Sequence, residues 1–526
     1  DTSTEQNNGI DITVKSCSVE GAMIAVNSAL TLMFCGSQAG LLQLPLPYVI
    51  EDWPVHAWRG LMVDVARHYQ PLGLLKRTID GMALSRLNWL HLHLTDAEAF
   101  RVRLADSKAF PHLSALSASN KAGETYSVSE LRELVAYAKE RGVEIVPEVD
   151  VPAHVLVWAA AFPHWVVQCH KAASLPGRTP AHVYSLDISQ GEVRAAVAEI
   201  VRQLSEVFPF PYLHLGGDEL HLDCWDESPA LLQAVQMRYN STSLQAKKNM
   251  YKDFESEIMA AVRSRSKVPL VWSGVQDSEA LPDSLNGSVP IIVEPWKCWG
   301  GLAARAGTLA ASSGHHVLMS ACWYLDFNHD WLEYFSTDVA SALPSSSLVG
   351  GEAAVWTERI DHTNFECRLW PRAGAIAARL WGFDYEISEA VNGQGNATGA
   401  KAEPKMGTTG RPVNLPVEKT RALLLSLVHY RDILFSKLDV AAAPVTFHTP
   451  TAAAKIAPVA LPSVHEQKAF LLANLSVGAT LATDHKLRPP AKRGVVHVTA
   501  QCPSLCENMS RPLAADTVRI SQVNVA

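Results

Sequence analysis

The sequence predicts an α/β protein centred on an eight-stranded parallel (β/α)8 barrel. Three observations lead there. From residue 59 onward, short apolar runs alternate with helical patterns, and serial strand–helix repeats make a parallel sheet with crossover helices. The alternation continues for roughly 330 residues, the room that eight such units with long loops require. Acidic and aromatic residues collect where the apolar runs end, as in His214-Leu215-Gly216-Gly217-Asp218-Glu219, and the carboxyl ends of barrel strands are where pockets form.

The elements follow in order. Gly60–Asp64 reads as a strand, Leu72–Met82 as a helix, Trp89–Leu94 as a strand and Val128–Arg141 as a helix. Glu144–Glu148 is a strand, Gly191–Phe208 a helix, Tyr212–Leu215 a strand and Asn249–Arg265 a helix. Strands follow at Pro269–Trp272, Pro290–Val293 and His316–Ser320, and after Gly350-Gly351 a helix runs from Leu369 to Leu380. Before this repeat, residues 1–50 hold one strand-like run, Ile10–Val14, and one helix near Ala22–Phe34, an N-terminal α+β segment. The catalytic barrel is assigned to 51–445. Within it, 388–412 is rich in Gly, Asn and Thr and reads as an exposed loop, and Glu418–Leu438 reads as an amphipathic helix. Residues 446–526 are Ala/Pro-rich, an irregular C-terminal extension of unknown role.

Composition narrows the function. A 526-residue chain with 48% hydrophobic and 19% charged residues buries a large core. The net charge of −8 is spread along the chain, with no basic block for nucleic acid. The apolar window Ala22–Phe34 carries Asn27 and Ser28 and is too short for a membrane span. No charged-then-apolar leader opens the chain, so the expectation is that any signal peptide has been removed. The nine cysteines match no zinc spacing. Asn-x-Ser/Thr sequons at Asn240, Asn286, Asn396, Asn474 and Asn508 are glycosylation candidates. With the cysteines they point to the secretory pathway, a lysosome-like compartment or the exterior; a cytosolic enzyme with incidental sequons is the competing reading.

The strand ends carry the chemistry. Arg59 precedes the first strand and Asp64 closes it; Asp96 follows the second; Glu148, Asp150 and His154 follow the third. Asp218 and Glu219 follow the fourth, Trp272 the fifth, Trp296 the sixth, Trp323, Tyr324 and Asp326 the seventh, and Trp356 and Glu358 the last. Consecutive side chains at a strand end point apart, so Asp218 and Glu219 can divide acid/base work from charge stabilisation. Aromatic faces stack on pyranose rings, while carboxylates and a guanidinium bind vicinal hydroxyls. Taken singly, each Trp reads as core packing and His154 as a structural histidine; after Glu148-x-Asp150-x-Pro152 it could instead couple to an acid and tune its pKa. His91 and His93 alternate with Leu inside a strand and read as structural.

At these residues the chain resembles the β-N-acetylhexosaminidases of glycoside hydrolase family 20. The likeness runs from about Trp53 to Pro444. It rests on Trp58-Arg59-Gly60-Leu-Met-Val-Asp64, His91-Leu-His-Leu-Thr-Asp96, Pro147-Glu-Val-Asp150, His214-Leu-Gly-Gly-Asp-Glu219, Trp323-Tyr-Leu-Asp326, Gly350-Gly-Glu-Ala-Ala-Val-Trp356 and Arg368-Leu-Trp-Pro-Arg-Ala-Gly-Ala375. Cys224-Trp225 after the catalytic strand and Cys169 before it are similar to the lysosomal-type eukaryotic branch, which implies a Cys169–Cys224 disulfide.

The resemblance implies exo-hydrolysis of terminal β-linked GlcNAc or GalNAc by a retaining, substrate-assisted route, with glycans as partners and neither metal nor cofactor. Glu219 would be general acid and base. Asp218 would orient the 2-acetamido group, and Tyr324 would donate to its oxygen. Trp272, Trp296 and Trp356 would cage the acetamide and stack on the sugar. Arg59 would hold O3 and O4, and Asp326 and Glu358 would hold O4 and O6. Asp96 and His154 would be the supporting pair behind the acid, with Glu148 and Asp150 also supporting. A homodimer is also implied by analogy.

Departures from the family pattern are Ala97 in place of a second acid, Ala153 in place of Gly, a missing late cysteine near His429, and a short N-terminal segment, a trimmed version of the family's α+β domain. Asp326 is followed by Phe327, so that wall offers no cation to a sulfated or sialylated sugar, and neutral substrates are expected. The alternatives are a chitobiase-like or lacto-N-biosidase-like glycosidase, or a non-catalytic sugar-binding protein on the same scaffold.

Overall fold

The computed structural model describes residues 10–16, 20–26, 50–104, 123–282, 290–382, scattered positions from 427 to 445, and 497–501 and 518–525, apart from 338–345 and a few single residues. The sequons Asn286, Asn396, Asn474 and Asn508, the 388–412 loop and most of Glu418–Leu438 lie outside the described residues.

Eight parallel strands close into a barrel: β1 (Trp58–Asp64), β2 (Trp89–His93), β3 (Glu144–Glu148), β4 (Tyr212–His214), β5 (Val268–Trp272), β6 (Ile292–Glu294), β7 (His316–Met319) and β8 (Leu348–Val355). Neighbours in sequence are neighbours in space, and the pairings of Gly350–Val355 with Trp58–Val63 and of His214 with Glu148 complete the ring. Every residue of β1 is buried, because its outer face meets helices and its inner face meets the opposite strands.

The interior is layered. At the amino-terminal end, Trp58 stacks on Trp89 at 4.6 Å, Tyr212 meets both edge-on, and Leu270, Ile292 and Leu318 fill the remaining space. Above this plug lies a polar layer of His91, His214, Glu148, Glu294 and Glu352, all fully buried. Above that the barrel opens among Met62, Tyr324, Ala354, Trp296 and Trp356.

The crossover helices Leu72–Ser85, Val128–Lys139, Gly191–Val207 and Leu244–Ser264 fall where the apolar periodicity placed them. Ser127 and Glu130 form a reciprocal capping box at the start of the second. The expected helix Leu369–Leu380 is instead two, Phe365–Leu369 and Arg372–Trp381. Pro371 lacks the N–H that a continuous helix needs and disfavours helical backbone at Trp370. Helices Pro229–Tyr239 and Leu302–Ser312 were not foreseen.

Outside the barrel, Ile10–Ser16 is one of the two inner strands of a four-stranded sheet. It pairs in parallel with His497–Gln501 and antiparallel with Val518–Val525, which in turn pairs with Ile50–Asp52. The two strands from the C-terminal extension thus belong to the same sheet as the N-terminal segment, whereas the sequence division set 1–50 and 446–526 apart.

Candidate active site

The turn after β4 sets the geometry. Gly216 and Gly217 adopt φ of 69° and 88°. A Cβ on Gly216 would run into the Asp150 carboxylate, and one on Gly217 into Val275 and Tyr251, so both the backbone angle and the space demand glycine. The Gly217 N–H donates to Asp150 at 3.0 Å, and the Tyr251 hydroxyl donates to the Gly217 carbonyl at 3.2 Å. Glu219 and His154 hold φ of 52° and 53°, left-handed values that a non-glycine residue keeps only under constraint from its surroundings.

His154 joins the two acids. Its Nε2 lies 3.6 Å from both Asp218 Oδ2 and Glu219 Oε2, and its Nδ1 lies 3.3 Å from Asp96. Despite burial, Asp96 and Asp218 push the imidazole well above its usual range, favouring its protonated form. The Asp218 side chain is 14% exposed and that of Glu219 43%. Burial, reinforced by the Glu219 charge, pushes Asp218 up, while the adjacent His154 holds Glu219 down.

A chain of contacts continues inward. Asp96 accepts from Arg67 at 2.7 Å and meets His93 at 2.9 Å; His93 meets Glu148 at 2.5 Å. Glu148 also faces His91 and His214 and accepts from the Trp272 indole at 2.8 Å. These imidazoles compensate the charge of Glu148, which they hold well below its usual range against the upward pull of burial. The groupings His91–Glu148–His214 and His91–Glu294–Glu352 bring donors close enough for a cation, but there too imidazoles already face the carboxylates at 2.7 to 3.5 Å.

Most residues singled out in the sequence converge here. Trp272 is 1% exposed; Trp296 and Trp356 are half-buried, and the Trp356 ring lies 5.9 Å from that of Trp272. The Trp296 indole N–H is buried and has no protein acceptor. The Tyr324 hydroxyl donates to the Trp296 carbonyl at 2.8 Å, so a bound acceptor competes for that proton. Burial pushes Asp326 up to about 6, and the Glu358 charge adds to this. Trp323, by contrast, is core, its indole bonded to the Tyr334 carbonyl at 3.1 Å.

Arg59 requires correction. It is fully buried at the amino-terminal side of the barrel, where its guanidinium donates to the carbonyls of Arg86, His56 and Ala57 and lies over the Trp381 ring. A side chain at the start of β1 cannot reach a pocket at its other end. The pocket arginine is Arg67, which lies over the Trp356 ring and pairs with Asp64, Asp96 and Glu98, with Glu358 at 3.9 Å. The signal was present: Arg67 lies three residues past Asp64, beyond the carboxyl end of β1. Asp64 itself caps the turn, accepting from the backbone N–H of Ala66, Arg67 and Thr357.

Cys169 and Cys224 are bonded, and so are Cys298 and Cys322. The second pair was missed, although each cysteine lies just past the end of one of two neighbouring strands. Cys367 is unbonded. Asn240 is exposed at the end of helix Pro229–Tyr239.

The catalytic-domain model of glycosyl hydrolase family 20 matches residues 56–383. β-Hexosaminidase subunit A1 of Dictyostelium discoideum is 31% identical over 346 residues, 63% of this chain and 60% of that protein. The human β-hexosaminidase subunit beta is 31% identical over 340 residues, 63% of this chain and 58% of that protein. The chain therefore spans about three fifths of the length of these relatives. The solved chitobiase of Flavobacterium johnsoniae is 29% identical, with a TM-score of 0.53 over 62% of this chain and 48% of that one.

Proposed function

The chain belongs to glycosyl hydrolase family 20, and on that premise we propose that it is an exo-acting β-N-acetylhexosaminidase removing terminal β-linked GlcNAc or GalNAc. The observation that carries the reading is the Asp218–Glu219 pair at the end of β4, with His154 Nε2 3.6 Å from both, among acids and tryptophans at the carboxyl ends of the strands.

Glu219 protonates the glycosidic oxygen as the C1–O bond breaks. The substrate's acetamido oxygen closes onto C1, giving an oxazolinium intermediate and needing no protein nucleophile. Water then attacks C1 and gives its proton to Glu219, with retention. Asp218 accepts a hydrogen bond from the acetamido N–H, and the Tyr324 hydroxyl donates one to the acetamido oxygen in place of the Trp296 carbonyl. Trp272, Trp296 and Trp356 form the cage that makes the internal nucleophile effective.

These roles need Asp218 ionised and Glu219 protonated, whereas in the free site burial pushes Asp218 up and His154 holds Glu219 down. Substrate opposes both shifts. An N–H donor at Asp218 favours its ionised form, and a sugar covering Glu219 strips water from it and raises its pKa. Arg67, Asp326 and Glu358 form the wall at the non-reducing end. The Arg67 charge is spent on the surrounding carboxylates, so a neutral sugar is preferred over a 6-sulfated or sialylated one. The disulfides and the exposed Asn240 favour the secretory pathway. Among the described residues no helix is long and apolar enough to cross a membrane.

The test is p-nitrophenol release from the β-GlcNAc glycoside, with the plain β-glucoside as control. The acetamido sugar alone should turn over, and Glu219→Gln and Asp218→Asn should each lower kcat by roughly 10²–10⁴. Equal turnover of the glucoside would make the acetamido group a bystander and overturn the mechanism.

A further inference from the structure

Trp299 is 57% exposed, and the residues before it are anchored. The adjacent Cys298 is bonded to Cys322 on the loop after β7, which also carries Tyr324. On its other side, Lys297 pairs with Asp277 at 2.7 Å and lies over the Trp296 ring. The Trp299 carbonyl accepts from Leu302 N–H at 3.2 Å, opening the helix Leu302–Ser312. Its ring stands 6.0 Å from Trp296, nearly perpendicular at 86°. A large exposed aromatic on a loop anchored by a disulfide and an ion pair, and set edge-on against Trp296, presents apolar area at a reduced entropic cost of ordering on binding.

Its place around the barrel indicates what it meets. The wall residues Asp326, Glu358, Arg67 and Asp96 follow β7, β8, β1 and β2, an unbroken arc. The proton donor follows β4 and Trp272 ends β5. With the terminal sugar's non-reducing end against the arc from β7 to β2, its leaving group departs across the arc from β4 to β6. Trp299, in the loop after β6, stands on that departure side, one ring beyond Trp296. Phe327 is exposed too but follows β7, beside the wall, and has no part in this.

We infer that Trp299 is a stacking platform for the sugar on the leaving-group side of the scissile bond, so that the preferred substrates are β-linked oligosaccharides and not single glycosides. This rests on the hexosaminidase reading above and deepens it.

The experiment compares kcat/KM for the β-1,4-linked GlcNAc trimer with that for the methyl β-glycoside of GlcNAc, which offers no ring beyond the bond. The ratio is measured in the wild type, Trp299→Ala, Trp299→Phe and Met237→Ala, the last an exposed residue of helix Pro229–Tyr239. Trp299→Ala is expected to lower the trimer-to-methyl ratio about three- to tenfold, the worth of one aromatic stack. Trp299→Phe should recover most of it, and Met237→Ala should leave it unchanged. A ratio within twofold of wild type in Trp299→Ala, with both substrates cleaved, overturns the inference alone. Cleavage of neither by the wild type overturns the underlying reading and the inference with it.

Discussion

Glu255 offers a quantitative check on how the catalytic turn is supported. It stands on helix Leu244–Ser264, 1% exposed, near Gly217 and bonded to Tyr251, whose hydroxyl holds the Gly217 carbonyl directly before Asp218. Burial pushes its carboxyl from 4.5 up to about 8, with the Tyr251 hydroxyl pulling the other way. An acid whose pKa is raised by folding stabilises the fold fully below its unfolded pKa and loses that contribution as pH rises. The window here runs from 4.5 to about 8. Each pH unit inside it is worth about 1.4 kcal/mol, and the whole window about 5 kcal/mol as a ceiling. Glu255→Gln keeps the shape and removes the titration. Urea denaturation followed by tryptophan fluorescence at pH 5, 6.5 and 8 should show wild type losing stability relative to the variant by at least about 2 kcal/mol across that range. Parallel curves would refute the reasoning, since they would mean that Glu255 is already ionised in the fold or exchanges no proton on unfolding.

Further outcomes follow from the same geometry. Arg67→Lys should raise KM and lower kcat/KM by about 10- to 100-fold, the loss of a charge-assisted hydrogen bond to a sugar hydroxyl. Arg59→Lys should lower thermal stability and leave KM unchanged, and steady-state kinetics with a melting curve separate the two. Tyr251→Phe frees the Gly217 carbonyl and should cost about 1 kcal/mol of stability, with kcat falling further than KM changes. Asp326 is held up to about 6, so its ionised, hydroxyl-accepting form is lost as pH falls through that value. KM should climb below pH 6 in the wild type, and Asp326→Asn should flatten that limb; an unchanged limb in the variant would assign it to another group.

The amino-acid sequence by itself determined the parts of this protein that are local. Alternation of apolar runs with helical periodicity specified the barrel, and the Gly-Gly-Asp-Glu turn specified where its chemistry sits, because a strand end and a left-handed turn are written within a few consecutive residues. Trp272, Tyr324 and Asp326 were legible for the same reason. Tertiary structure decided what depends on distance. It placed Arg67 and not Arg59 in the pocket, since the two differ only in which end of β1 they flank. It put Tyr251 and Glu255 behind Gly217 from a helix some thirty residues on. It joined Cys298 to Cys322 and paired Asp11 with His497 across nearly the whole chain. Such contacts are selected by packing and ladder hydrogen bonds between segments, and no local pattern records which segment will be the partner.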